Sequence, residues 1–128
     1  MASLRVLLVD ARRATRRGWR DLLASIFPGC VVEEAQGVTE AWGLVRTRVY
    51  DLVLADALLP DGSGVDLLDK ARAACPGALR VLLSGGPHPD AAREAVRRGV
   101  AHAALPKQAP LADATETLRR LVGGRGAD

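Results

Sequence analysis

The sequence contains few aromatic residues, only two cysteines and no long apolar segment. Aromatic side chains make up 3% of the 128 residues, too few to form the stacking platforms that bind single-stranded nucleic acids. Cys30 and Cys75 have no CxxC partner, so we expect no disulfide framework and no metal or redox role. No apolar stretch approaches the roughly 20 residues of a membrane span. The N-terminal apolar run is interrupted by Asp10 too early for a signal peptide. These features predict a cytoplasmic protein that does not enter a membrane.

The remaining composition is typical of one globular domain. Hydrophobic residues make up 48% and charged residues 26% of the chain, and its length suits a single core. The formal net charge of +3 favours anionic partners only weakly. We predict one domain over residues 1–122 and a flexible tail over residues 123–128, whose sequence is GGRGAD.

Short apolar runs alternate along the chain with longer segments whose apolar residues recur at helical spacing. The predicted strands cover residues 4–9, 30–33, 52–55, 79–83 and 101–105. The predicted helices cover residues 12–26, 39–48, 65–74, 90–98 and 111–122. This alternation predicts an α/β domain, a doubly wound (βα)5 unit whose parallel sheet is covered on both faces. In such sheets ligands bind beyond the carboxyl ends of the strands.

Four polar side chains stand at the ends of predicted strands, on the side where ligands bind. They are Asp10 after the first strand, Asp56 after the third, Ser84 after the fourth and Lys107 after the fifth. A carboxylate can accept a phosphoryl group as a nucleophile, and a hydroxyl and an ammonium can bind phosphoryl oxygens. A second carboxylate suits a hard divalent cation. The set therefore favours phosphoryl chemistry.

The stretch LVLADALLPDGSG carries a more specific pattern. Asp56 is followed by Pro60 at the fourth position and Gly64 at the eighth. Together with VLLSGG and LPKQ, it resembles the receiver domain of bacterial two-component response regulators, the CheY-like family. The resemblance extends from about Leu4 to Val122. RRGWRDLL and LPKQAPLADATETLRRLV are most similar to the branch usually joined to a LuxR-type helix-turn-helix.

The resemblance implies a single flavodoxin-like sheet of five parallel strands in the order 2-1-3-4-5. It implies that Asp56 accepts a phosphoryl group, while Ser84, Gly85 and Lys107 bind that group and act as the switch. Weakly bound Mg²⁺ would lie on Asp10, Asp56 and the backbone carbonyl of Leu58.

The same resemblance implies a phosphoacceptor rather than an enzyme, with at most weak self-phosphorylation from small donors and autodephosphorylation. The expected partner is a sensor histidine kinase or a phosphotransfer protein. The expected interaction face consists of the fourth helix, fifth strand and last helix, and it also suits a homodimer. Neither a membrane nor direct nucleic-acid binding by this domain is expected.

Three positions depart from the family's pattern. Ala11 stands where the family has a second acid that binds magnesium, which predicts weaker metal binding. Ala104 replaces the usual aromatic switch residue, so its coupling to the hydroxyl cannot operate in the ordinary form. Gln108 follows the lysine where a proline is common. Arg12 and Arg13 follow Ala11 directly, and their position suggests that a guanidinium could partly replace the weakly bound magnesium ion.

Three alternatives compete with a phosphorylated switch. An atypical receiver could bind a partner or dimerise without phosphorylation. A phosphatase of the haloacid-dehalogenase kind would need a second aspartate two residues after the first, where this chain has Arg12. A flavodoxin would need a hydroxyl-rich loop after the first strand, which here reads ARRATRRG.

Each residue also has a simpler interpretation. Asp10 could serve only to cap a helix. The arginines of the first predicted helix favour a solvated face over a surface for an anionic partner. The isolated His88 and His102 are expected to be structural, and Trp19 and Trp42 to pack on helical faces.

Overall fold

A parallel sheet lies at the centre of the structure, a computed structural model that describes residues 3–85 and 89–125. The strands of this sheet are β1 (Arg5–Val9), β2 (Val31–Ala35), β3 (Leu52–Asp56), β6 (Leu79–Ser84) and β7 (Ala103–Pro106). A short antiparallel hairpin, β4 (Leu58–Leu59) and β5 (Gly62–Ser63), follows β3. The sheet order is β2-β1-β3-β6-β7 and every pairing in it is parallel. The predicted order 2-1-3-4-5 is therefore confirmed, with β6 and β7 as its fourth and fifth strands.

Five helices cover the two faces of the sheet. They are α1 (Arg13–Ile26), α2 (Val38–Thr47), α3 (Gly64–Ala74), α4 (Pro89–Arg97) and α5 (Leu111–Arg125). Alternate residues of a strand point to opposite faces, and β1 follows this rule. Leu7 and Val9 belong to the core cluster that contains residues of α2 and α3, whereas Val6 and Leu8 belong to the cluster beneath α1 and α5. All four are fully buried, as the continuous apolar runs predicted.

Strand β2 continues two residues beyond its predicted end. It lies at the edge of the sheet and carries Glu33 and Glu34. These two consecutive charges interrupt the apolar pattern, so the prediction ended the strand at Glu33. Arg48 and Arg5 pair with Glu33, and arginines of α1 pair with Glu34. The neighbouring cations thus allow carboxylates in a strand of the sheet.

The arginines of α1 do not all lie on a solvated face, so that interpretation is wrong for Arg16. This side chain is buried, and its guanidinium donates hydrogen bonds to Glu34 Oε1 (2.8 Å) and to the backbone carbonyl of Asp10 (2.7 Å). Arg12, Arg13 and Arg17 are exposed, as predicted.

The other single residues follow their expected structural roles where the structure describes them. Trp19 is buried in the core cluster beneath α1 and α5, and Trp42 packs against the cluster on the opposite face of the sheet. His102 Nδ1 accepts a hydrogen bond from the backbone N–H of Arg80 (3.0 Å). Cys30 and Cys75 are free thiols. His88 lies outside the described residues.

Helix α5 extends past the predicted domain boundary at Val122. It includes Gly123 and Gly124 and ends at Arg125, so the first part of the predicted tail is helical, and residues 126–128 lie outside the described part. Over the described ranges, 3–85 and 89–125, no helix combines the length and apolar character that crossing a bilayer requires.

Candidate functional site

Asp56 stands at the carboxyl end of β3, the central strand of the sheet. Its side chain is nearly buried, with 8% of the residue exposed, and its Oδ1 accepts a hydrogen bond from the backbone N–H of Leu58 (3.2 Å). The β4–β5 hairpin then returns the chain to Ser63, whose Oγ accepts hydrogen bonds from the first turn of α3 (3.1 and 3.3 Å). This N-cap fixes α3 directly after the loop that carries Asp56.

Gly64 lies against the backbone of Asp56, which explains the glycine in the quoted stretch. A Cβ atom at this position would lie 1.9 Å from the Asp56 carbonyl oxygen and 2.7 Å from its carbonyl carbon. The N–H of Gly64 also donates a hydrogen bond to the carbonyl of Ala57 (3.0 Å). A glycine is thus required for the loop to close this tightly behind the acid.

Asp10 ends β1 beside β3, and it is fully buried. Its Oδ1 accepts a hydrogen bond from the backbone N–H of Arg12 (2.8 Å), the residue that precedes α1. Arg16 holds the Asp10 carbonyl, as described above. The carboxylate therefore stabilises the entry to α1, as the simpler interpretation proposed, and in addition its second oxygen faces the crevice.

Lys107 brings the two carboxylates together. It follows β7, and its Nζ donates a hydrogen bond to Asp56 Oδ2 (2.6 Å) and forms an ion pair with Asp10 Oδ2 (2.8 Å). Burial of the ammonium would by itself lower the pKa of Lys107, but its contacts with Asp10 and Asp56 outweigh that effect and raise the pKa above its ordinary value. The lysine is therefore a cation at neutral pH, placed between the two carboxylates.

These residues border a crevice of about 630 Å³ at the carboxyl edge of the sheet. Its lining includes the predicted residues Asp10, Ala11, Asp56, Leu58, Gly85, Lys107 and Gln108, and it also includes Arg12. A Cβ atom at position 85 would lie 3.0 Å from Lys107 Cδ, so the glycine leaves room for the lysine chain. Leu58 lies at the rim with its side chain 76% exposed.

Ser84 and Ala104 line a second hollow of about 510 Å³ rather than the acid crevice. This hollow lies between α4 and β7 and is bordered mainly by apolar side chains, including Val96 and Leu105. The carbonyl of Ser84 accepts a hydrogen bond from the N–H of Lys107 (2.9 Å), so Ser84 stands beside the site through its backbone. The small side chain of Ala104 leaves space in this hollow that a larger side chain would fill.

Asp61 was not among the predicted site residues, although it lies in the quoted stretch. Its carboxylate accepts hydrogen bonds from the backbone N–H groups of Val38 (2.7 Å) and Thr39 (3.0 Å) at the start of α2. These bonds, that of Thr39 first, lower the pKa of Asp61. Gly37, the residue before α2, has no side chain that could cap this helix. That missing cap was the sequence signal that another residue must supply it. Asp61 therefore fastens the loop of Asp56 to a neighbouring helix.

The oxygen donors of the crevice are few for a metal site. Over residues 3–85 and 89–125, no cluster of three or more His, Cys, Asp or Glu side chains could hold a metal ion. Mg²⁺ is nevertheless commonly held by one or two carboxylates together with water and phosphate oxygens. Asp10 and Asp56 therefore provide a minimal fit, one acid short at Ala11 and with Lys107 bound to both carboxylates.

Comparisons with known proteins agree with this architecture. The chain is 32% identical over 96 residues to the DNA-binding transcriptional activator DevR/DosR of Mycobacterium tuberculosis, with 75% of this chain and 44% of that protein covered. It is 31% identical over 97 residues to the alginate biosynthesis transcriptional regulatory protein AlgB of Pseudomonas putida, with 76% and 21% covered. The chain thus spans less than half the length of these relatives.

Solved structures show the same fold. A CheY-like receiver domain protein from Methanospirillum hungatei superposes with a TM-score of 0.87 at 24% identity and 98% coverage of both chains. A LuxR-family two-component response regulator from Aurantimonas superposes with a TM-score of 0.84 at 26% identity, with 97% of this chain and 88% of that chain covered. Residues 6–119 match the response regulator receiver domain family. The chain therefore belongs to the family of CheY-like response regulator receiver domains.

Proposed function

We propose that this receiver domain accepts a phosphoryl group on Asp56 from a sensor histidine kinase or a phosphotransfer protein in the cytoplasm. The observation that supports it best is the pair of contacts from Lys107 Nζ to Asp56 Oδ2 (2.6 Å) and Asp10 Oδ2 (2.8 Å). They join the ends of three parallel strands in one crevice that is open to a donor. A cation already lies beside the carboxylate that would become phosphorylated.

In the proposed reaction a carboxylate oxygen of Asp56 attacks the phosphorus of the donor's phosphohistidine, the bond from phosphorus to the histidine nitrogen breaks, and the imidazole leaves with the electron pair. The new acyl phosphate carries more negative charge than the carboxylate. Lys107 then donates to a phosphoryl oxygen in place of Asp56 Oδ2, and the Ser84 hydroxyl supplies a further donor. Gly85 leaves the approach to Lys107 open.

Asp10, Asp56 and the backbone carbonyl of Leu58 would hold Mg²⁺ in this proposal, and the ion would neutralise phosphoryl charge. We expect its affinity to be low because Ala11 provides no carboxylate. The protein itself would contribute at most weak self-phosphorylation from small donors and autodephosphorylation.

The proposed output is a change in the face formed by α4, β7 and α5. Ser84 lies at the end of β6 and also lines the hollow beneath α4, so a new bond to its hydroxyl would favour one packing of that hollow over another. This face would engage a partner or a second copy of the chain.

A second candidate function keeps the same face but needs no phosphorylation. Ala11 in the metal-binding position and Ala104 in the switch position favour it, because both remove side chains on which the family's phosphorylation chemistry depends. In that case the unmodified protein binds its partner constitutively.

Acetyl phosphate with Mg²⁺ distinguishes these functions when the intact mass of the protein is measured. We expect the wild type and the control Asp66→Asn, an exposed aspartate of α3, to gain one phosphoryl group, and Asp56→Asn to gain none. Equal uptake by Asp56→Asn would show that the site is assigned wrongly. An absence of uptake by the wild type would favour the constitutive binding module.

A further inference from the structure

Arg12 lines the same crevice as Asp10, Asp56 and Lys107, and its side chain is exposed there. Its backbone is fixed relative to the acids, because its N–H donates a hydrogen bond to Asp10 Oδ1 (2.8 Å). Arg12 also occupies the N-cap position of α1, with no side-chain cap bond of its own. The backbone of Arg12 therefore has a fixed position at the edge of the site, from which its side chain extends.

Among the described residues, the guanidinium of Arg12 is free of ion pairs, unlike those of Arg16 and Arg20 in α1. Arg16 and Arg20 are both bound to Glu34. Within the described part of the chain, no carboxylate lies within 4.0 Å of the Arg12 guanidinium. The first turn of α1 also contains no acidic residue that would compete for it.

The formal charges of the crevice balance without a metal ion. Two carboxylates, Asp10 and Asp56, face two cations, Lys107 and Arg12, so the formal charges cancel. A carboxylate at position 11 combined with a neutral residue at position 12 would make the crevice more negative by two charges. That difference equals the charge of one divalent cation. Relative to that hypothetical pair, Ala11 and Arg12 make the crevice more positive by two charges, as a bound magnesium ion would.

We propose that Arg12 binds the phosphoryl group accepted by Asp56, so that phosphorylation of this receiver does not require a divalent cation. This inference rests on the proposed function. The planar guanidinium can donate two parallel hydrogen bonds to phosphoryl oxygens, which an ammonium cannot match in geometry. With acetyl phosphate, an Asp56 oxygen attacks phosphorus, the bond to the acetyl oxygen breaks, and acetate leaves with the electron pair. The charge of the acyl phosphate is then shared between Arg12 and Lys107.

The test measures phosphoryl uptake from acetyl phosphate by intact mass, in Mg²⁺ and in excess EDTA. The variant is Arg12→Gln, which keeps a long polar side chain. The matched control is Arg13→Gln, because Arg13 is the next exposed arginine of the same helix but does not line the crevice. The affinity for beryllofluoride, which imitates a phosphoryl group on a carboxylate, provides a second readout in the same two conditions.

We expect the wild type and Arg13→Gln to be modified in EDTA at rates within about threefold of those in Mg²⁺. Arg12→Gln should lose about tenfold in EDTA, the effect of one charge-assisted hydrogen bond, and recover in Mg²⁺. Beryllofluoride affinity should change in parallel.

Two results would overturn the role of Arg12 while leaving the proposed function intact. One is a wild type that is modified only in Mg²⁺, and the other is an Arg12→Gln variant that matches Arg13→Gln in EDTA. No modification of the wild type in either condition would overturn both the inference and the proposed function.

Discussion

Replacing Gly64 by alanine tests whether the loop behind Asp56 needs a glycine. The added Cβ would lie 1.9 Å from the Asp56 carbonyl oxygen, and real Cβ atoms essentially never approach closer than 3.0 Å. The two backbones must therefore separate by about 1.1 Å, the difference between these distances. Such a shift would weaken the hydrogen bond from Gly64 N–H to the carbonyl of Ala57. We expect Gly64→Ala to lower the free energy of unfolding by about 3 kcal/mol, the upper part of the range for overpacked sites.

Gly43→Ala is the matched control, because Gly43 lies inside α2 and a Cβ there would meet nothing within 4 Å. Removing a helical glycine should raise the free energy of unfolding by about 0.5–1 kcal/mol. Urea denaturation of both variants measures the two effects. A Gly64→Ala protein within about 0.5 kcal/mol of the wild type would refute the steric argument.

Three further substitutions probe the residues around the site. Lys107→Met removes the cation between two carboxylates, and urea denaturation should show a loss of about 2–3 kcal/mol, less than for a fully buried pair. The control Lys70→Met removes an exposed lysine whose ammonium lies 5.8 Å from the centre of the Trp42 ring, and it should cost no more than about 1 kcal/mol. Equal losses would contradict the pairing. Asp61→Ala should lower the melting temperature at pH 7. Because hydrogen bonds depress the Asp61 pKa, its stabilisation is present above the unfolded pKa and is lost as the pH falls through the folded value. The difference from wild type should therefore shrink below about pH 4, and a constant difference would argue against this cap. Ala11→Asp should strengthen Mg²⁺ binding about tenfold in calorimetry, equivalent to about 1.4 kcal/mol, and an unchanged affinity would place position 11 away from the metal.

The sheet and its order could be predicted because buried parallel strands are encoded by continuous apolar runs, which alternate here with segments of helical spacing. Strand β2 was predicted to end at Glu33 because a second charged residue, Glu34, follows, and both carboxylates pair with arginines in the folded protein. Local patterns could not reveal those partners, which lie 14 to 28 positions away in the chain.

The site could be predicted as a set of strand ends but not as a set of contacts. Asp10, Asp56 and Lys107 were expected at one edge, and the structure places Lys107 Nζ within 2.8 Å of an oxygen of each carboxylate. Ser84 was also expected there, and it does end β6 at that edge with its carbonyl bound to the N–H of Lys107, but the residue also lines the neighbouring hollow. Whether a side chain at this strand end borders the crevice or the hollow depends on how α4 packs against β7, which residue spacing does not encode.

Arg16 and Asp61 show which supporting residues sequence reasoning misses. Arg16 reads as one member of a solvated arginine series, but it is buried against the Asp10 carbonyl. Asp61 reads as a turn residue, but it caps a helix that begins 23 residues earlier. Both bind backbone groups, the carbonyl of Asp10 and the N–H groups at the start of α2, and residue type does not indicate a backbone partner.

The central claim is that the phosphoryl group is accepted by Asp56, and the most direct test is to locate it. The protein is incubated with acetyl phosphate, the acyl phosphate is reduced with borohydride to mark the modified aspartate, and the peptides are sequenced by mass spectrometry. The account predicts the mark on Asp56, with none on Asp10 or on the exposed aspartates. A mark on another aspartate, or a protein without any mark, would contradict it.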